Sequence, residues 1–208
     1  MLRKVGVFVV FALSSAGAAS AQVAMLTQVS GNVRVSGKDG GREAVAFLKV
    51  NDGDTLTLAA SARVQMVYLP SGRQEVWTGA GPVQVGTRQG ASRSLVAQTS
   101  QVPALVLRQL EKTPAVGQHG RVGMVMLRSL DNLEQLDALQ KDYKDFRAKT
   151  AADDTTPEVF FLTGLLELGG YDDAKKFLDE LKTRQRTVSA LGPVIEHFSR
   201  LLAEATAK

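Results

Sequence analysis

Arg73, Arg88 and Arg93 surround the lone Trp77 in sequence. Guanidinium groups grip anions through paired donors, and an aromatic ring adds a stacking surface. Together they could hold an anionic or sugar-bearing ligand. The competing reading places Trp77 in the core. His119, in Gln118-His119-Gly120-Arg121, reads as a loop residue, and His197 reads as lying off the apolar stripe of its helix. Neither has a local acid–nucleophile arrangement, so a triad could arise only in space. Two histidines are too few for a histidine metal site without carboxylate help. Asn51-Asp52-Gly53-Asp54 lacks the spaced oxygens and terminal Glu of a calcium loop, and turn chemistry accounts for it. Asp153-Asp154 and Asp172-Asp173 sit near helix starts, where capping and dipole complementarity explain adjacent acids better than paired acid–base work.

The chain has no cysteine. Disulfides, thiolate nucleophiles, cysteine metal sites and a lipoprotein anchor are therefore excluded. No G-x-S-x-G, H-E-x-x-H, phosphate-loop or dinucleotide-binding glycine motif occurs. The expectation is a non-catalytic protein without cofactor or metal. A hydrolase whose site assembles only in the fold is the remaining alternative.

The elements that must position these residues begin with an address. Arg3 and Lys4 precede an apolar run over residues 5–13, and small residues lead to Ala19-Ser20-Ala21. This is the layout of a secretory signal peptide, with cleavage expected between Ala21 and Gln22. The alternative, an uncleaved anchor, needs ~20 predominantly apolar residues, and small residues replace the large ones after Leu13. No later segment reads as a membrane span. Residues 22–208 are expected in the periplasm.

Of 208 residues, 44% are hydrophobic and 22% charged, an ordinary globular balance. Residues 22–130 carry a net charge of +6 and residues 131–208 a net of −4. Glycine is concentrated in the first part. The organisation expected is a β domain over 22–98, a connecting segment with a short helix and a short strand over 99–128, and an α-helical domain over 129–208. Opposite charges could help the halves dock, or leave a basic face for an anionic envelope polymer. Nucleic acid is a poor partner, given a net of only +2 after cleavage and the expected compartment.

In the first half, alternation with period two recurs between turn signals. Val29-Ser30-Gly31-Asn32-Val33-Arg34-Val35 reads as one strand and residues 37–41 as a loop. Residues 44–50 read as a second apolar run. Thr55-Leu56-Thr57-Leu58, residues 63–69, Glu75-Val76-Trp77-Thr78 and Val83-Gln84-Val85 follow, separated by turns at residues 51–54, 70–72 and 79–82. Turns at this spacing predict an antiparallel sandwich or roll. In residues 63–69, Val64, Met66 and Tyr68 face one way, and Arg63, Gln65, Val67 and Leu69 the other. Apolar Val67 and Leu69 on the second face predict a cover over that end, supplied by the helical half.

The order Val29-x-Gly31-x-Val33-x-Val35, Gly53-Asp54-Thr55-Leu56 and Ala62-x-Val64-x-Met66-x-Tyr68 with a Gly72 turn resembles the FecR-type periplasmic domain over roughly residues 24–88. Pro70-Ser71-Gly72 replaces the Asp-Gly-like turn of that pattern. The resemblance implies an extracytoplasmic β-rich domain that binds partners or transmits signals. The best-known members add a cytoplasmic anti-sigma segment and a membrane span. Neither is expected from these residues, so that regulatory role is not carried over.

In the second half, Pro103 is expected to start a short helix, and residues 122–126 read as a short strand. Leu127, Leu130, Leu133, Leu136 and Leu139, then Tyr143 and Phe146, mark a helix over 129–148. Steps of three wind round a helix, which predicts contact with two bodies; a single broad buried face is the alternative. Thr156-Pro157-Glu158 opens the next helix, with Phe161, Gly164, Leu165 and Leu168 on one face. Asp172-Asp173 opens another, striped by Ala174, Phe177, Leu178 and Leu181. Leu191, Val194, Ile195, Phe198, Leu201 and Leu202 stripe the last. Gly169-x-Tyr171-x-x-Ala174, flanked by Leu165 and Leu178, resembles a tetratricopeptide hairpin over roughly residues 157–187. Glu158 departs from the usual Trp at its start, and the usual late Pro is absent. The resemblance implies peptide or protein binding in a groove. A lone hairpin more often simply builds core, because such repeats need about three units. The whole reads as an α+β chain whose expected role is interaction or scaffolding among envelope proteins. Direct binding of an anionic glycan by the β half is the second reading.

Overall fold

A computed structural model of the chain describes residues 22–38, 40–116 and 130–207. Strands come first: β1 (Gln22–Ser30), β2 (Val33–Gly37), β3 (Gly40–Glu43), β4 (Lys49–Asn51), β5 (Thr55–Leu58), β6 (Arg63–Tyr68), β7 (Arg73–Thr78), β8 (Gly81–Val85), β9 (Gly90–Ala91) and β10 (Gln98–Gln101). Helices follow: α1 (Ala104–Lys112), α2 (Leu130–Arg147), α3 (Thr156–Glu167), α4 (Tyr171–Arg184) and α5 (Leu191–Thr206). The α+β layout expected from the sequence is present. No helix among the described residues is long and apolar enough to cross a membrane.

All strand pairs are antiparallel, in two five-stranded sheets ordered β10-β7-β6-β1-β4 and β3-β2-β5-β8-β9. The alternating residues of both sheets meet in a sandwich core that includes Leu26, Val35, Leu56, Val64, Met66 and Val83. The stretch 29–35, expected as one strand, is two. Gly31 turns the chain with φ +76 between β1 in one sheet and β2 in the other. A Cβ at Gly31 would lie 2.9 Å from Ala62 Cα, so backbone and packing both demand glycine there. Of the loop expected at 37–41, Gly37, Gly40 and Gly41 instead lie in the paired strands of a β2–β3 hairpin. The turn expected at 51–54 forms as predicted: Gly53 has φ +85, and Asp54 Oδ2 accepts the Asn51 N–H at 2.9 Å.

The helices form a third layer on the outer face of the first sheet. Met25, Phe47 and Val67 from the β half share one core with Val106, Phe160 and Phe198 from the helices. Val67 is fully buried and Leu69 packs against the same cluster, so the predicted cover over that end of the strand is there. The compositional divide near residue 128 is therefore not a packing divide. Pro103 lies at the N-cap of α1, one position earlier than expected, and the strand expected at 122–126 lies outside the described residues.

α3 departs from its expected single apolar face. Every residue from Thr156 to Leu166 is buried, as a helix enclosed on all sides requires. α1, α2, α4 and α5 surround it. On α2, Leu136, Leu139, Tyr143 and Phe146 pack inward at steps of three and four, which is the single-face alternative over the described side chains. Leu139 comes close because Gly164 of α3 has no side chain: a Cβ there would sit 2.7 Å from both Leu139 methyls.

Candidate functional site

The four residues first singled out do not assemble into a ligand grip. Trp77 is buried in the sandwich core. Its indole N–H donates to Glu75 Oε2 at 3.0 Å. Arg73 Nε donates to Glu75 Oε1 at 2.7 Å, and the Gly90 N–H to Oε2 at 2.9 Å. Arg73 and Trp77 thus meet on a shared, fully buried carboxylate, Arg73 through its Nε and Trp77 through its indole nitrogen. Arg88 and Arg93 are exposed, and neither side chain joins this cluster. Glu75 was missed from sequence. The signal was its alternation: Glu75 shares a face of β7 with Trp77, two residues on, and that face enters the sandwich core.

His197 is a correction. It is 3% exposed and stacks on Phe47 with ring centroids 4.4 Å apart. Phe47 reaches it from the β half with a left-handed φ of 65, an uncommon conformation for a bulky side chain. The His197 Nδ1 faces an Arg200 guanidinium nitrogen at 3.2 Å. Arginine can only donate, so Nδ1 is the acceptor and the neutral ring carries its proton on Nε2. Burial foremost, then the Arg200 charge, pushes the His197 pKa down to about 4. A histidine paired with arginine is not the acid-oriented base of a triad. His119 lies outside the described residues, as do Ala21 and the leader before it, whereas Gln22 begins β1.

Three helices build a groove of about 450 Å³. Its floor is aromatic. Tyr143 of α2 stacks on Phe161 of α3 with centroids 4.7 Å apart, and Phe177 of α4 meets Phe161 edge-on at 4.8 Å. Leu136 and Leu165 extend the floor. The rims carry both signs: Asp137 and Lys144 on α2, and Asp173, Lys176 and Glu180 on α4.

Beneath the floor lies Glu158, fully buried. It accepts from Arg147 Nη1 at 3.0 Å, Arg184 Nη2 at 3.1 Å and the Tyr143 hydroxyl at 3.3 Å. Burial, with the Glu158 charge second, holds the Tyr143 phenol above its usual range. Arg147 also donates to the Asp154 carbonyl at 2.7 Å. These bonds lock α2, α3 and α4 together and fix the ring that the groove presents. Its two arginine partners lie 11 and 26 residues away in sequence, beyond the reach of local pattern.

Among the described residues, no cluster of His, Cys, Asp or Glu could hold a metal ion. Comparison of the chain with family models, with curated proteins and with solved structures finds no match.

Proposed function

We propose that the protein is an exported, non-catalytic interaction protein of the bacterial envelope, with a FecR-like sandwich carrying a tetratricopeptide-like helical layer. The helical groove takes a segment of a partner protein. The observation that carries this reading is the groove among α2, α3 and α4, with its three-ring floor and two-signed rims. Apolar and aromatic surface with a few polar groups at its border is the composition of a recognition site. The matching occupant is a peptide segment that lays an apolar side chain on Phe161 and Phe177 and sets charges of both signs against the rims. The leader-like residues 1–21 support export.

The test is photo-crosslinking in intact cells from the exposed positions Gln140 and Lys176, with Gln84 on the far sheet as control. The expected outcome is capture of one envelope protein at the two groove positions and not at Gln84. The crosslinked segment should bear an apolar residue flanked by charge. Gln140→Trp, which fills the groove from an exposed position, should abolish capture. Equal capture from Gln84, or capture that survives Gln140→Trp, overturns the reading. Retention of the full chain in the cytosol overturns the export part alone.

A further inference from the structure

The outer face of the first sheet mixes polar and apolar side chains. Strand registry aligns Gln65, Val76 and Gln98 in one row and Val67, Gln74 and Ser100 in the next. Cross-strand partners of an antiparallel sheet share a face, so side chains of β6, β7 and β10 project together there. Towards Leu69 the face lies under the helices. Towards Arg63 it opens into a cleft of about 310 Å³, whose far wall is Phe146, Lys149, Thr150 and the acids Asp153 and Asp154.

We propose that this cleft is a binding site for an uncharged saccharide of one or two pyranose rings, distinct from the helical groove. Its walls are rich in amides and hydroxyls, which donate and accept at once, as sugar hydroxyls require. Gln65 Nε2 and Gln74 Nε2 each donate to the Asp154 carboxylate at 2.8 Å. Thr156 Oγ1 joins the same network, accepting from Gln65 Nε2 at 3.2 Å. The inner wall is therefore pre-oriented. The outer wall is free: among the described residues, the side chains of Gln98, Ser100 and Lys149 make no hydrogen bond, and Arg63 Nε is buried without a partner. The half-buried Phe146 ring gives an apolar surface for a sugar's C–H face.

Charge selects against an ionic ligand. Arg63 pairs with Asp153 at 2.9 Å, and the two cations of the cleft, Arg63 and Lys149, match its two anions, Asp153 and Asp154, in number. The volume is at the small end of the roughly 300–1,000 Å³ of ligand clefts, fitting a short saccharide. An extended peptide would pair along the outer edge of β10 through its backbone; this cleft instead offers side-chain amides on the sheet face.

The experiment is amide-detected NMR of the full exported chain titrated with maltose, cellobiose and N,N′-diacetylchitobiose. At least one is expected to shift the Gln65, Gln74 and Gln98 side-chain amide signals saturably in the millimolar range. The exposed double variant Gln98→Ala/Ser100→Ala should keep the backbone spectrum and weaken binding. A lost hydrogen bond is worth about 0.5–1.5 kcal/mol, so each removed group should cost about 2- to 12-fold in Kd. No saturable shift with any of the three overturns the proposal, as does unchanged affinity in the double variant. Tighter binding of a uronic-acid disaccharide, or of a capped trialanine peptide at the same signals, also overturns it. Photo-crosslinking at the helical groove is unaffected by any of these results.

Discussion

Lowering the pH from 7 to 4 should expose the buried histidine as a source of acid sensitivity. An unfolded His197 takes up its proton near 6.5, whereas the folded ring does so only near about 4, because it is buried against Phe47 and already faces the Arg200 guanidinium. Between those values the unfolded chain binds more protons, and stability falls as the pH falls. The contribution is fully present above 6.5 and is lost through that window. A displacement of about 2.5 units at 1.36 kcal/mol per unit gives about 3 kcal/mol lost by pH 4. Carboxylates also titrate at the acid end, so the measurement is a difference. Urea unfolding of the wild type and of His197→Phe is followed from pH 7 to 4. Phenylalanine keeps an aromatic ring against Phe47 and removes the titrating nitrogen. The variant is less stable at neutral pH because Arg200 loses its acceptor, but its pH slope should be shallower by about 3 kcal/mol over the window. Parallel slopes, agreeing to within about 1 kcal/mol, would refute the burial argument. So would an NMR titration of the folded imidazole centred near 6.5.

Glu158→Gln should strip the charge that holds Arg147, whose side chain is 17% exposed. Breaking a buried pair costs about 3–5 kcal/mol. The lower end applies, because Arg147 keeps its carbonyl acceptors and the more exposed Arg184 adds little; a fall of the urea midpoint by about 1 M measures it. Gly31→Ala should destabilise by about 2 kcal/mol, from the left-handed φ and the crowding against Ala62, read as a fall of about 5 °C in Tm. Asp154→Asn sets an amide donor against the Gln74 donor and should cost about 1–3 kcal/mol. The amide oxygen left at Oδ1 still accepts the Thr156 N–H, which donates there at 2.9 Å, so exchange of that amide should stay slow in Asp154→Asn and quicken in Asp154→Ala; unchanged exchange in Asp154→Ala would show that the side chain does not protect it.

Local pattern determined much of this protein. The order of strands then helices, the turns at Gly53 and Gly72, the stripes of α4 and α5, and the cover over Val67 and Leu69 all follow from period, turn chemistry and the need to bury apolar faces. Those signals act within a few residues, or on one face of one element. The sequence could not say that residues 29–35 cross from one sheet to the other, because alternation on both sides of Gly31 is the same whichever sheet receives it. Nor could it show that α3 is enclosed on every side, that His197 lies under Phe47, or that Glu75 captures both Arg73 and Trp77. Each of those depends on partners distant along the chain, and a charge or ring acquires its role only when packing excludes water and supplies the partner. The groove and the cleft arise in the same way: their residues come from separate elements, and only tertiary packing brings them to a common surface.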